Sequence, residues 1–254
     1  MKQFHYPVFT LFFVFFSVQI FSQTGRIPAR AERGMVVSSH YLASQAGNEV
    51  LKEGGNAIDA TVATAFALAV TLPSAGNIGG GGFIVYHGND GQQTTFNFRE
   101  KAPLAATREM FLGEDGKIKD NSNHVGLLSV GVPGTVAGLY KAHQKMGKLP
   151  WSRLVAPAID LAENGFPSTY DINWKQPQLA ATLKLIQTHG ADGFYKGQTA
   201  DLIADFMKAN GGLITREDLI KYEAEELKPV TGNYRGYEII SMPPPSSGGI
   251  AIIE

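Results

Sequence analysis

The sequence predicts an α+β protein, and three observations point there. Residues 57–71, AIDATVATAFALAVT, form a helix that is apolar nearly all round, which places it in a core. Phe83 to His87 and Gln93 to Glu100 are strand-like runs joined by Asn89-Asp90-Gly91, a hairpin signal, and Val230 to Met242 repeats the pattern through Arg235-Gly236. Between the hairpins lies a long stretch with helical periodicity. The 254 residues are 44% hydrophobic and 18% charged, so a core is affordable and disorder is not indicated.

In chain order, Lys2 followed by the apolar run Val8 to Phe21 and small Ser22 reads as a secretory signal peptide over residues 1–22. That run falls short of the ~20 residues a spanning helix needs. Residues 23–34 read as a polar leader, and order is expected from about Met35. His40 to Lys52 is a helix stopped by Gly54-Gly55, and Asn56 is a suitable N-cap for the helix after it. Gly76 to Gly82 is a tight turn into the first strand. On the second strand Thr94, Phe96 and Phe98 share one face, while Thr95, Asn97 and Arg99 share the other. Phe111 to Asn123 is a polar loop. Helices follow from Pro133-Gly134 to Met146, over Trp151 to Asn164, near Leu179 to Thr188 and over Thr199 to Ala209; Thr215 to Asp218 is a capping-box pattern. Glu223, Glu225 and Glu226 read as a solvated acidic face at a helix end. Ile250 to Ile253 starts an apolar element after a proline-glycine turn, which suggests a truncated chain.

Several chemistries are unsupported. Net charge −1, without runs of Lys or Arg, gives no case for nucleic acid. The absence of cysteine excludes a thiol nucleophile, thiolate metal ligands and disulfides. His5, His40, His87, His124, His143 and His189 show no HExxH spacing, read mostly as surface residues, and leave no metal to be expected. No GxSxG elbow occurs, and the glycines at 79–82 lack both GxGxxG spacing and a GK[ST] ending, so no phosphate-bearing cofactor is implied. Arg99, at a strand end, is the best single candidate. Its planar guanidinium suits bidentate carboxylate binding, although an arginine so placed is more often a surface residue or one half of an ion pair.

Five stretches carry a resemblance. They are Gly54 to Ala60, Gly76 to Phe83, Phe98-Arg99-Glu100-Lys101-Ala102-Pro103, Pro133 to Gly138 and Met242 to Gly249. In this order and spacing the chain from residue 35 to 254 resembles the large-subunit region of γ-glutamyltransferases. The resemblance implies an N-terminal-nucleophile hydrolase with an αββα sandwich, incomplete in this chain. It implies a self-cleaving precursor, with a partner small subunit whose N-terminal threonine is the nucleophile. The reaction would move γ-glutamyl from glutathione and similar small molecules to water, amino acids or peptides, with no cofactor, in a secreted or periplasmic enzyme. Arg99 would bind the donor's α-carboxylate, and Glu100 is expected to orient it. The nucleophile segment, the oxyanion glycines and the amine-holding residues are expected downstream, so the 254-residue chain alone should be inactive. The alternatives are a cephalosporin or glutaryl acylase, a poly-γ-glutamate-processing enzyme, or a non-catalytic γ-glutamyl-ligand binding fragment.

Overall fold

The structure is a computed structural model that describes residues 28–169 and 171–254. The signal-peptide reading, and the leader as far as residue 27, lie outside the described residues. Among the described residues, the regular elements all belong to the unit Gly34–Glu254.

Helix α1 (Tyr41–Lys52) opens on His40, whose Nδ1 accepts from the Leu42 amide. It ends at Gly54, whose φ of +91° is open to glycine at little steric cost. Helix α2 (Ala57–Thr71) starts in a reciprocal capping box: Asn56 Oδ1 accepts from Asp59 N, and Asp59 Oδ2 accepts from Asn56 N. Eleven of its residues are buried, as its all-round apolar sequence requires. The two helices cross closely at Gly47, where a Cβ would meet Thr64 Oγ1 at 2.2 Å.

Strands β1 (Phe83–His87), β2 (Gln93–Asn97) and β3 (Glu225–Leu227) form an antiparallel sheet with β2 in the middle. Helix α3 (Thr135–Met146) packs on β2, and α2 packs on α4 (Trp151–Asn164), which in turn packs on α5 (Pro177–His189). Short α6 (Asp192–Tyr195), α7 (Gly197–Ala209) and α8 (Arg216–Ile220) continue the helical layer. Strands β4 (Val230–Tyr234) and β5 (Tyr237–Ser241) form a hairpin covered by α9 (Gly248–Ile253). Trp151 lies in the main core, edge-on to Phe66 with centroids 5.5 Å apart, and its indole donates to Ile186 O at 2.9 Å.

Three expectations need correction. The second strand ends at Asn97 rather than Glu100, and both its faces are buried: Thr94, Thr95, Phe96 and Asn97 are all inside. The polar members are satisfied by β3, since Thr95 Oγ1 donates to Leu227 O at 2.8 Å and Asn97 Nδ2 donates to Glu225 Oε2 at 2.9 Å. Glu225 and Glu226 accordingly sit on a strand and not on a helix end; Glu226 accepts from Thr94 Oγ1 and pairs with Lys145. His143 is no surface residue. It is buried beside Trp151, with Nε2 2.8 Å from Leu149 O.

Candidate functional site

Where β2 leaves the sheet, its backbone is fixed from several sides. Phe98 and Gly82 exchange two backbone hydrogen bonds, at 3.0 and 3.3 Å. Lys101 and Val132 exchange another two, at 3.2 and 2.7 Å. Between these pairs stand Arg99 and Glu100, with no strand partner of their own. Arg99 N donates to Asn97 Oδ1 at 3.1 Å, and Arg99 O accepts from the Tyr222 hydroxyl at 2.8 Å. The segment is therefore rigid although it has left the ladder.

This segment is one of the five stretches named above, and three of the other four converge on it. The Gly80 carbonyl accepts from Gly134 N and Thr135 N, at 2.7 and 3.0 Å. Asn77 Oδ1 accepts from Gly80 N and from Thr135 Oγ1, at 2.9 and 2.7 Å, which joins the glycine turn to the start of α3. The approach is too close for side chains. A Cβ at Gly138 would sit 2.0 Å from the Phe98 ring, and one at Gly134 would sit 2.1 Å from both Phe98 O and the Tyr222 hydroxyl. The Met242 to Gly249 stretch arrives from the other side, and Arg99 Nη1 donates to Pro245 O at 3.4 Å, a long contact. The remaining stretch, at Asn56, lies at the α2–α3 junction, where Asn56 Nδ2 donates to Met146 O.

The Arg99 side chain is exposed, and among the described residues it has no carboxylate partner. Glu100 is also exposed and makes no hydrogen bond to Arg99 among the described residues; a Cβ at Gly81 would lie 2.8 Å from Glu100 Oε2. Nearby, Lys101 Nζ donates to Glu223 O and Glu225 Oε1 and lies 5.4 Å from the Tyr222 ring centre. Burial, aided by the Glu100 and Glu225 carboxylates, pushes the Tyr222 phenol up, so that it stays a hydrogen-bond donor at neutral pH. Among the described residues no cluster of three or more His, Asp or Glu could hold a metal. Sequence reasoning located Arg99 and Glu100 but missed Asn97, Tyr222 and the Pro245 carbonyl. Only the strand alternation, which put Asn97 and Arg99 on one face, hinted at any of these.

Arg99 thus combines a braced backbone with a guanidinium at solvent, whose planar fork can offer paired N–H donors to a carboxylate. Solved γ-glutamyltranspeptidases, which are N-terminal-nucleophile hydrolases, are similar to this chain, and the α+β expectation holds. γ-Glutamyltranspeptidase from Helicobacter pylori is 46% identical with a TM-score of 0.85, covering 89% of this chain and 74% of that one. The Pseudomonas nitroreducens γ-glutamyltranspeptidase is 43% identical with a TM-score of 0.83, covering 88% of this chain and 75% of that one. A model of the Gamma-glutamyltranspeptidase family matches residues 43–173 and 170–254, and the chain belongs to this family. It is 47% identical to the glutathione hydrolase proenzyme of Pseudomonas sp. (strain A14), over 94% of this chain and 47% of the relative. It is 45% identical to that of Escherichia coli (strain K12), over 89% of this chain and 45% of the relative. An acylase proenzyme, ACY 1 of Pseudomonas sp. (strain SE83), is 38% identical over 89% of this chain and 48% of the relative. The chain thus spans about half the length of the curated relatives it matches. No helix among the described residues is long and apolar enough to cross a membrane.

Proposed function

We propose that residues 35–254 supply the donor-carboxylate subsite of a γ-glutamyl-transferring enzyme, and that the nucleophile threonine comes from a small subunit of the same precursor. One observation carries this reading: the Arg99 guanidinium is held on a braced backbone, faces solvent and has no carboxylate of its own among the described residues. A guanidinium so placed can take the α-carboxylate of glutathione or another γ-glutamyl compound through paired N–H donors. Glu100, next to Arg99 in the chain, would bias the guanidinium's orientation through its charge. The donor's γ-carbonyl would then be attacked by the threonine hydroxyl. The α-amine of that threonine takes the proton, and the amine of the leaving peptide departs with it. Water or an amino acid or peptide amine completes the transfer. No cofactor is required by this chemistry.

The proenzyme names of the relatives support a cleaved precursor. The acylase reading would use the same guanidinium on a glutaryl carboxylate. The γ-glutamyl reading is preferred because identity is 45–47% to glutathione hydrolases and 38% to the acylase. The signal pattern over residues 1–22 points to export, and the mature chain would begin near residue 23. The test uses a chromogenic γ-glutamyl anilide. The 254-residue chain alone should release no anilide, whereas the chain assembled with a threonine-bearing small subunit should. Turnover by the chain alone, or an exported product that still carries residues 1–22, would contradict the corresponding part.

A further inference from the structure

We propose that Tyr222 is a positioning residue for donor binding, acting through its hydrogen bond to the Arg99 carbonyl; this rests on the donor-carboxylate reading of Arg99.

The strand pairing of β2 with β3 ends at Asn97–Glu225. Two residues later the Arg99 carbonyl would have no partner, and Tyr222 supplies one at 2.8 Å. The phenol takes the place of a neighbouring strand. Its ring has little freedom. It is 7% exposed and lies parallel to Tyr195, with an interplanar angle of 7° and centroids 5.7 Å apart. Tyr195 is in turn fixed, since its hydroxyl donates to Pro133 O at 2.9 Å and accepts from Ala137 N at 3.3 Å. A rigid relay therefore runs from the start of α3, through two stacked rings, to the peptide that carries Arg99. Gly134 leaves the room for it, because a Cβ there would meet the Tyr222 hydroxyl at 2.1 Å. Burial, helped by the Glu100 and Glu225 carboxylates, raises the phenol further above its ordinary range, so it stays a donor to Arg99 O at neutral pH.

Fixing a carbonyl fixes the adjoining Cα, and with it the cone from which the guanidinium reaches solvent. The effect should fall on donors that have an α-carboxylate and on no others. The experiment compares a γ-glutamyl anilide with 4-aminobutyryl anilide, the same donor without its α-carboxylate, on the assembled enzyme. Tyr222→Phe keeps the ring and the stack and removes the hydroxyl alone. We expect KM for the γ-glutamyl anilide to rise roughly five- to tenfold, the equivalent of one hydrogen bond, with kcat little changed. Its kcat/KM on 4-aminobutyryl anilide should stay within about twofold of the parent. Tyr195→Phe, which removes the hydroxyl anchoring the other ring of the relay, should shift the ratio of the two donors in the same direction but by less than Tyr222→Phe. Equal losses on both donors, no loss on either, or a Tyr222→Phe protein too unstable to assemble would each assign Tyr222 to the fold alone and overturn the proposal. Arg99→Ala separates the two levels. If it discriminates between the donors and Tyr222→Phe does not, only the positioning role falls; if Arg99→Ala does not discriminate, the carboxylate reading falls and the positioning role with it.

Discussion

Two junctions of this molecule hold a charge in opposite ways. At the meeting of α2 with the turn after α3, the Asp59 carboxylate is wholly buried. It accepts from Asn56 N at 2.9 Å, from Lys148 N at 3.0 and 3.1 Å, and from Leu149 N at 3.3 Å. At the meeting of β2 with the Pro243 to Pro245 turn, the Arg99 guanidinium stands in solvent with one long contact to a carbonyl. The first charge is satisfied within the chain and serves the fold. The second has its backbone held as firmly, yet its side chain is left without a counterion among the described residues. On the proposed reading, that difference separates a structural ion from a binding group better than residue type or exposure does: many exposed charges here, such as Arg153 with Glu53 or Arg216 with Asp201, already have partners.

The largest effect expected from this contrast is on stability at the first junction. Asp59→Ala leaves three backbone N–H groups without their acceptor and should cost about 3–4 kcal/mol in denaturant unfolding. A loss below about 1 kcal/mol would show that the buried carboxylate is not the tie between α2 and α3 described here. At the second junction the signature should be reversed. Arg99→Ala should hardly move the unfolding midpoint while raising KM for a γ-glutamyl anilide roughly a hundredfold, as removal of a charge-assisted carboxylate clamp does. Equal damage to folding would erase the distinction.

The smallest effect comes from a charge intermediate between the two. Hydrogen bonds from Lys145 and then Thr94 hold the Glu226 carboxyl below its ordinary value of 4.5. A carboxyl depressed on folding contributes stability that is complete above the ordinary range and is lost as pH falls through the folded value. Glu226→Gln should therefore cost no more than about 1 kcal/mol at pH 7. Thermal melts of the variant and the parent should converge as the pH falls from the ordinary value of 4.5 through the lower folded value. A gap that stays constant with pH would mean that packing, and not charge, holds β3 to Lys145.

Much of the helical layer was legible because its signals are local. His40, Asn56 and Thr215 cap the helices that start beside them, and Gly54 and Gly165 end helices by adopting positive φ next to the last turn. The sheet was less legible. Three residues at Glu225–Leu227 carry no pattern of their own; they form a strand because Thr95, Phe96 and Asn97 offer an edge to them. For the same reason an acidic run looked solvated when two of its members were bonded to β2 and Lys101. Position 99 was picked out as a strand-end arginine whose guanidinium suits a carboxylate, and the family resemblance strengthened that reading. Tyr222 left no trace, since its one informative bond spans 123 residues.

That separation has a consequence for the order in which the chain is made. A ribosome adding roughly 5–20 residues per second finishes Arg99 some 6 to 25 seconds before Tyr222 exists to hold it. For that interval β1 and β2 can pair as a local hairpin, but β3 has not been made, and the hydroxyl and amide of Thr95 and Asn97 lack the acceptors they will later use. The hairpin's final burial thus waits on synthesis, and the peptide that carries Arg99 is among the last parts of this chain to acquire its shape.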